Sequence, residues 1–248
     1  MTVVKSSTPV LDASGTPAAG RVVRVYRRDT GALIANGLTS DGLPRSDALE
    51  WTPTINSTGW SGYTLRIVTP PAPIGATSVK VTFAAFSGSG VDVMQIGAVY
   101  VGLKAASGDA YDFEATPVQA FFSGAPGITT DANAVVETDA IALAVPVGAS
   151  VVVAVYFSGS TALRSTTTPA NWGSYYQSGD SAATVNPSGY TSGSQVYGMT
   201  KVTLSAPAIA TGMYEVQCGT FTGPVNVVCL DDDAGDTYND LILRATPV

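Results

Sequence analysis

Apolar residues recur at every second position in short runs along this chain, and no window repeats them at helical spacing between caps. Side chains on a strand point alternately to two faces, so a period of two marks a half-buried β-strand. Residues 21–28 (RVVRVYRR) set Val23 and Val25 on one face with Arg24 between them. The same alternation predicts strands over 33–38, 62–68, 79–85, 96–103, 117–122, 135–143, 196–205, 213–218, 225–230 and 241–246. Residues 151–157 (VVVAVYF) are continuously apolar, as expected of a strand buried on both faces. Residues 131–143 offer the best helical alternative, but their Val, Ile and Thr content favours strand. Residues 43–60 lose all periodicity and read as loop. So does the Ser, Thr, Gly and Tyr-rich stretch 164–195, whose length would mark it as functional.

Between these runs fall 26 glycines and 15 prolines. Strands at roughly 8–12-residue spacing with such turns predict an all-β sandwich or barrel. Charged residues are only 12%, but 45% of the 248 residues are hydrophobic, enough for a sizeable core rather than a disordered chain. The net charge is −7, so no basic surface is expected for nucleic acid. Histidine is absent, which removes Ser-His-Asp and Cys-His catalysis and His-ligated zinc. No run reaches the ~18 apolar residues of a membrane span. Residues 1–10 lack the apolar stretch of a secretory signal.

The strands before Asp41 are too few for a core of their own, and so are those after Met213. Pairing the two sets gives one small sandwich from residues 1–43 and 207–248. Residues 46–205 then form a larger sandwich inserted into it, as loop tips tolerate. The alternative is two sequential domains divided near Pro70–Pro73.

Four constellations could carry chemistry. Gly179-Asp180-Ser181 resembles the start of a hydrolase nucleophile block, but its serine has no histidine to activate it, and a turn is the expected structure. Residues 231–240 hold 5 of the 19 acidic residues. Asp231, Asp233, Asp236 and Asp240 could ligate calcium, a hard cation that takes oxygen ligands, or simply form a solvated turn. The same carboxylates would be the candidates if the chain were an enzyme. Cys218 and Cys229 flank a turn and would face each other across a symmetric hairpin, either as a disulfide or as two small buried apolar residues. Trp172, Tyr175, Tyr176 and Tyr190 could form a carbohydrate-binding platform with Asn171, Gln177 and Asp180 at its rim. The competing expectation is that these rings pin a long loop to the sheet. Asn56-Ser57-Thr58 is a formal glycosylation sequon.

Several segments carry a resemblance: WSGYTLRIVTP (60–70), VKVTFAAFSG (79–88), IGAVYVGLKAASGDAYDF (96–113), TPVQAFFSG (116–124), ETDAIALAVPVGASVVVAVYFSG (137–159) and SYYQSGDSAATVNPSGYTSGS (174–194). Together they resemble a β-sandwich module of tailed-phage and gene-transfer-agent virion proteins, of a type that also accompanies SGNH/GDSL esterase domains. The esterase block and its histidine are missing, so esterase activity does not carry over. TPVLDASGTPAAGRVVRVYRRDTGALI (8–34) and GPVNVVCLDDDAGDTYNDLILRATPV (223–248) resemble the opening and closing strands of a small immunoglobulin-like or transthyretin-like module. The resemblance implies a non-enzymatic virion surface protein of head-spike, fibre or decoration type. Its small domain would anchor to capsid or tail proteins, and a jelly-roll-like inserted domain would project toward host-surface polysaccharide. A homo-oligomer is the expected state for such a projection. A stand-alone carbohydrate-binding module is the alternative.

Overall fold

The computed structural model describes residues 2–5, 14, 16–17, 22–27, 33–38, 45–88, 93–159, 161–207, 215–218, 225–229 and 243–245. In chain order the strands are β1 (Thr2–Lys5), β2 (Val22–Arg27), β3 (Leu33–Leu38), β4 (Arg45–Glu50), β5 (Ile55–Thr58), β6 (Tyr63–Val68) and β7 (Ala76–Ala84). Then come β8 (Met94–Leu103), β9 (Val118–Ala120), β10 (Ile128–Thr130), β11 (Val135–Glu137), β12 (Ile141–Val145), β13 (Val151–Phe157) and β14 (Ala162–Thr167). The last are β15 (Gly173–Ser178), β16 (Thr191–Ser192), β17 (Gln195–Tyr197), β18 (Met199–Ala206), β19 (Glu215–Cys218), β20 (Val225–Cys229) and β21 (Leu243–Ala245). The protein is all-β. Its antiparallel sheets make sandwich-like contacts and do not close into a barrel.

The chain divides into two compact units, Met1–Arg45 with Pro207–Val248, and Ser46–Ala206. In the first unit, β2 lies between β3 and β20, β21 extends the sheet beyond β20, and β1 pairs with β19. β19 lies close to β3, so the two sheets of this unit meet. Cys218 stands opposite Thr2, and Cys229 opposite Val23. The two cysteines therefore belong to ladders of different sheets. The strands that carry them, β19 and β20, pair with β1 and with β2 and β21, not with each other as the symmetric hairpin would require.

In the second unit, one sheet runs β10-β8-β13-β6-β15-β16, with β9 also on β8. The other runs β11-β7-β18-β4, with β12 also on β7. A three-stranded sheet β17-β14-β5 completes it. Core residues come from both large sheets: Leu65, Ile67, Val153, Val155 and Phe157 from one, and Val79, Val81, Phe83, Val202 and Leu204 from the other.

β13 sits between β6 and β8 in the middle of its sheet. Val151, Val153, Val155 and Phe157 enter the core between the sheets, whereas Val152 and Ala154 join a second cluster with Val68, Phe113 and Ala182 on the outer face. This two-sided burial accounts for the unbroken apolar run.

Two regions predicted as loop contain strands. Residues 43–60 include β4 and β5, and 164–195 include β15, β16 and most of β14. β4 and β5 are mostly exposed on both faces, so they bear no apolar face for alternation to reveal. β15 (GSYYQS) has a polar sequence because its outer face is covered by chain rather than by core.

Candidate functional site

The register of β6 against β15 decides which side chains can meet. Leu65 opposes Tyr176 and Ile67 opposes Ser174 on the core face, while Arg66 opposes Tyr175 and Thr64 opposes Gln177 on the outer face. Tyr175 and Tyr176 are consecutive and therefore point to opposite sides of the sheet.

On the outer face two loop segments cover the sheet. Arg66 is fully buried beneath them. Its guanidinium donates from Nη1 to the carbonyls of Tyr111 (2.8 Å) and Val185 (3.4 Å). From Nη2 it donates to the carbonyls of Ser181 (3.3 Å) and Thr184. The guanidinium carbon lies 4.4 Å from the Phe113 ring centroid and 5.5 Å from that of Tyr190. Burial lowers the pKa of Arg66, opposed by Tyr190, Asp112 and Tyr111.

The remaining outer-face groups serve the same covering layer. Thr64 Oγ1 donates to Gly179 O (2.6 Å) and accepts from Ser181 N (3.1 Å). Gln177 Nε2 donates to Ser188 O at 3.0 Å. The Tyr111 ring lies 5.0 Å from Tyr175 and 4.8 Å from Tyr190, and the Tyr190 hydroxyl bonds Ser181 Oγ at 2.7 Å. Gly102 is required below Phe113, since a Cβ there would come within 2.8 Å of that ring.

Gly179-Asp180-Ser181 forms the turn that leaves β15. Gly179 has φ +91°, a conformation that favours glycine. Its amide donates to Gly62 O (2.7 Å), and Asp180 Oδ1 accepts from Ala182 N (3.2 Å). Asp180 and Gln177, predicted as a sugar-binding rim, are thus held by the chain's own backbone. Asn56 of the sequon is likewise engaged: its side-chain amide donates to Ser87 O (2.6 Å) and accepts from Ser87 N (3.0 Å).

The four predicted aromatic residues do not form one platform. Tyr175 and Tyr190 hold the outer covering layer. Tyr176 lies on the core side, and so does Trp172, which packs against the main core. Residues 172 and 176 are separated by roughly 13 Å of extended chain.

Tyr176 instead joins rings from other elements. At one edge of the core, Trp60, Tyr63, Tyr176 and Tyr197, with Thr58 and Gly59, line a pocket of about 190 Å³. Trp60 is 5.7 Å from Tyr63 at 76°, and 5.7 Å from Tyr176 at 82°. Tyr63 and Tyr176 are 6.4 Å apart at 61°, and Tyr197 lies 4.2 Å from Trp60. Trp60 Nε1 donates to Ser57 Oγ (2.9 Å), which fixes the indole. Burial raises the Tyr197 pKa, with Tyr176 adding to the effect. Among the described residues, no carboxylate or basic group lines the pocket. Such walls offer a small ligand ring faces and phenol hydroxyls. Of these four rings, the sequence singles out only Tyr176 as a candidate binding residue; Trp60, Tyr63 and Tyr197 are not among the candidates.

Asp231, Asp233, Asp236 and Asp240 lie outside the described residues. Among the described residues, no three His, Cys, Asp or Glu side chains cluster as a metal site would require. No helix among them is long and apolar enough to cross a membrane. No protein-family model matches the chain, and no curated protein matches it.

Proposed function

We propose that this chain is a non-enzymatic structural component of a phage-like virion surface, of the head-spike, fibre or decoration type. One observation carries the proposal. The segments flanking the inserted sandwich form a compact unit of their own, and the sandwich forms another. A single chain so divided has separate surfaces for two partners, as an adhesive particle protein needs. The unit of Met1–Arg45 and Pro207–Val248 would hold capsid or tail proteins, and Ser46–Ala206 would meet host-surface polysaccharide. The sequence resemblance supports the same assignment. Homo-oligomeric assembly belongs to the proposal, because viral projections are commonly symmetric.

We also read the larger unit as jelly-roll-like. Successive strands change sheets: β6 lies in one large sheet, β7 in the other and β8 back in the first. Hydrogen-bonded neighbours such as β13 and β6 are consequently distant in sequence, as in jelly rolls. The smaller unit, with four strands facing two, fits an immunoglobulin-like or transthyretin-like sandwich.

The test is a cryo-electron microscopy map of the purified particle. Density for this chain, with its smaller unit at the capsid or tail, is expected. Absence from purified particles, or contact through Ser46–Ala206, would overturn the proposal. The aromatic pocket favours one alternative in that event, a free-standing non-catalytic carbohydrate-binding module.

A further inference from the structure

We propose that the pocket of Thr58, Gly59, Trp60, Tyr63, Tyr176 and Tyr197 binds one uncharged pyranose ring of a glycan. The inference rests on reading Ser46–Ala206 as the polysaccharide-facing unit, and assigns that contact to a pocket that shares only Tyr176 with the platform suggested by the sequence.

Three features select this ligand. The first is size: about 190 Å³ is well below the ~300–1,000 Å³ typical of sites for drug-sized ligands, so the space suits a single ring. The second is wall chemistry. Trp60, Tyr63 and Tyr176 stand at steep mutual angles of 76°, 82° and 61° and form a corner rather than a parallel stack. A pyranose has an apolar C–H face for an aromatic face and equatorial hydroxyls for polar tips. Among the described residues, the hydroxyls of Tyr63, Tyr176 and Tyr197 have no hydrogen-bond partner, unlike that of Tyr190, which bonds Ser181, and the Thr58 side chain adds another polar group. Gly59 leaves one wall low: a Cβ there would have nothing within 4 Å. The third is charge. Among the described residues no lysine or arginine lines the pocket, and the chain carries −7 overall, so an acidic sugar would enter without a counter-charge and against the field of the protein.

The same corner of rings could instead hold a quaternary ammonium, since cations also favour aromatic faces. The uncommitted hydroxyls favour the sugar, because a trimethylammonium group has nothing to donate to them or accept from them.

The full chain would be screened on an array of bacterial glycans containing neutral hexoses, deoxyhexoses, N-acetylhexosamines and uronic acids. Hits would be titrated by intrinsic fluorescence and by saturation-transfer NMR, with tetramethylammonium chloride as a parallel probe. Binding of a neutral-sugar glycan is expected, weakened at least about tenfold by Tyr176→Ala and unchanged in Trp172→Ala. Tyr176→Phe keeps the ring and tests the hydroxyl alone, with a smaller loss. If circular dichroism shows that Tyr176→Ala is unfolded, Tyr63→Ala replaces it with the same expectation. Silence across the array would overturn the proposal. So would preference for uronic acids, binding indifferent to both substitutions, or tetramethylammonium binding with the same dependence on Tyr176. The particle map separates the two levels: a chain present on the particle but silent toward neutral sugars refutes the pocket assignment and leaves the virion role standing.

Discussion

Arg66 shows what a single residue does in this protein. An arginine in the middle of a strand is unusual on a buried face, and charge desolvation opposes it. Here the guanidinium replaces water with carbonyls of two separate loop segments, at Tyr111 and at Ser181, Thr184 and Val185. It works as a tie between covering segments. Arg66→Met would keep much of the volume but leave those carbonyls buried without a donor. The expected loss is about 3–5 kcal/mol of unfolding free energy, read by urea denaturation. Arg66→Lys should restore little of it, because an ammonium cannot span both loops as a planar fork does. Full stability of Arg66→Met would show that the loops hold without the tie. Tyr197 gives a second prediction at this scale. Burial raises its folded-state pKa above the ordinary tyrosine value. The folded form therefore holds the proton more tightly than the unfolded form. Its contribution is complete below the ordinary tyrosine pKa and is lost as pH rises through the higher folded value. Tyr197→Phe should flatten the alkaline fall in stability and remove one late-titrating phenol from the ultraviolet absorbance titration. An unaltered titration curve would contradict the assignment.

Among the elements, the break between β11 and β12 is a place where one side chain substitutes for sheet pairing. Both strands pair with β7, with Glu137 opposite Thr82 and Ile141 opposite Val79. Between them Thr138 is buried; its amide donates to Val81 O (2.9 Å) and its Oγ1 accepts from Val81 N (3.0 Å). Thr138→Val preserves shape but leaves the Val81 amide unpaired, with an expected cost of about 1–3 kcal/mol. Thr138→Ser should lose less, and equal losses for the two substitutions in thermal melts would refute the hydrogen-bond explanation. How far each strand was legible follows from the same physics. The expected bounds of β3 and β13 match the observed ones, and for β13 the reason is that burial on both faces writes itself into side-chain choice. β4, β5 and β15 were not legible, since backbone hydrogen bonds hold them and backbone pairing leaves no apolar period in the sequence. The pocket was hidden for a related reason. Trp60, Tyr63, Tyr176 and Tyr197 are spread over residues 60–197 and meet only through the register of β6 with β15 and the placement of β17. A sequence window sees clustered rings such as Tyr175 and Tyr176, which the pleat then sends to opposite faces.

For the whole molecule, the division into two compact units has a thermodynamic consequence. A unit that closes its own core can unfold without its neighbour, and two-state behaviour then holds for each unit rather than for the chain. Calorimetry of the full chain is therefore expected to resolve two transitions. Phe157 identifies one of them. Its side chain is fully buried in the core of Ser46–Ala206. Phe157→Ala should cost about 3–5 kcal/mol, which lowers the melting temperature of a unit of this size by roughly 6–20 °C. Only the transition of Ser46–Ala206 should move. The other, belonging to Met1–Arg45 with Pro207–Val248, should stay within the error of the wild-type trace. That pattern is what the proposed division of labour requires, because a unit bound to a particle must hold its fold while the inserted sandwich meets an external surface. A single transition displaced as a whole by Phe157→Ala would mean that the units share one cooperative core, and a particle-anchoring unit distinct from the polysaccharide-facing one would lose its physical basis.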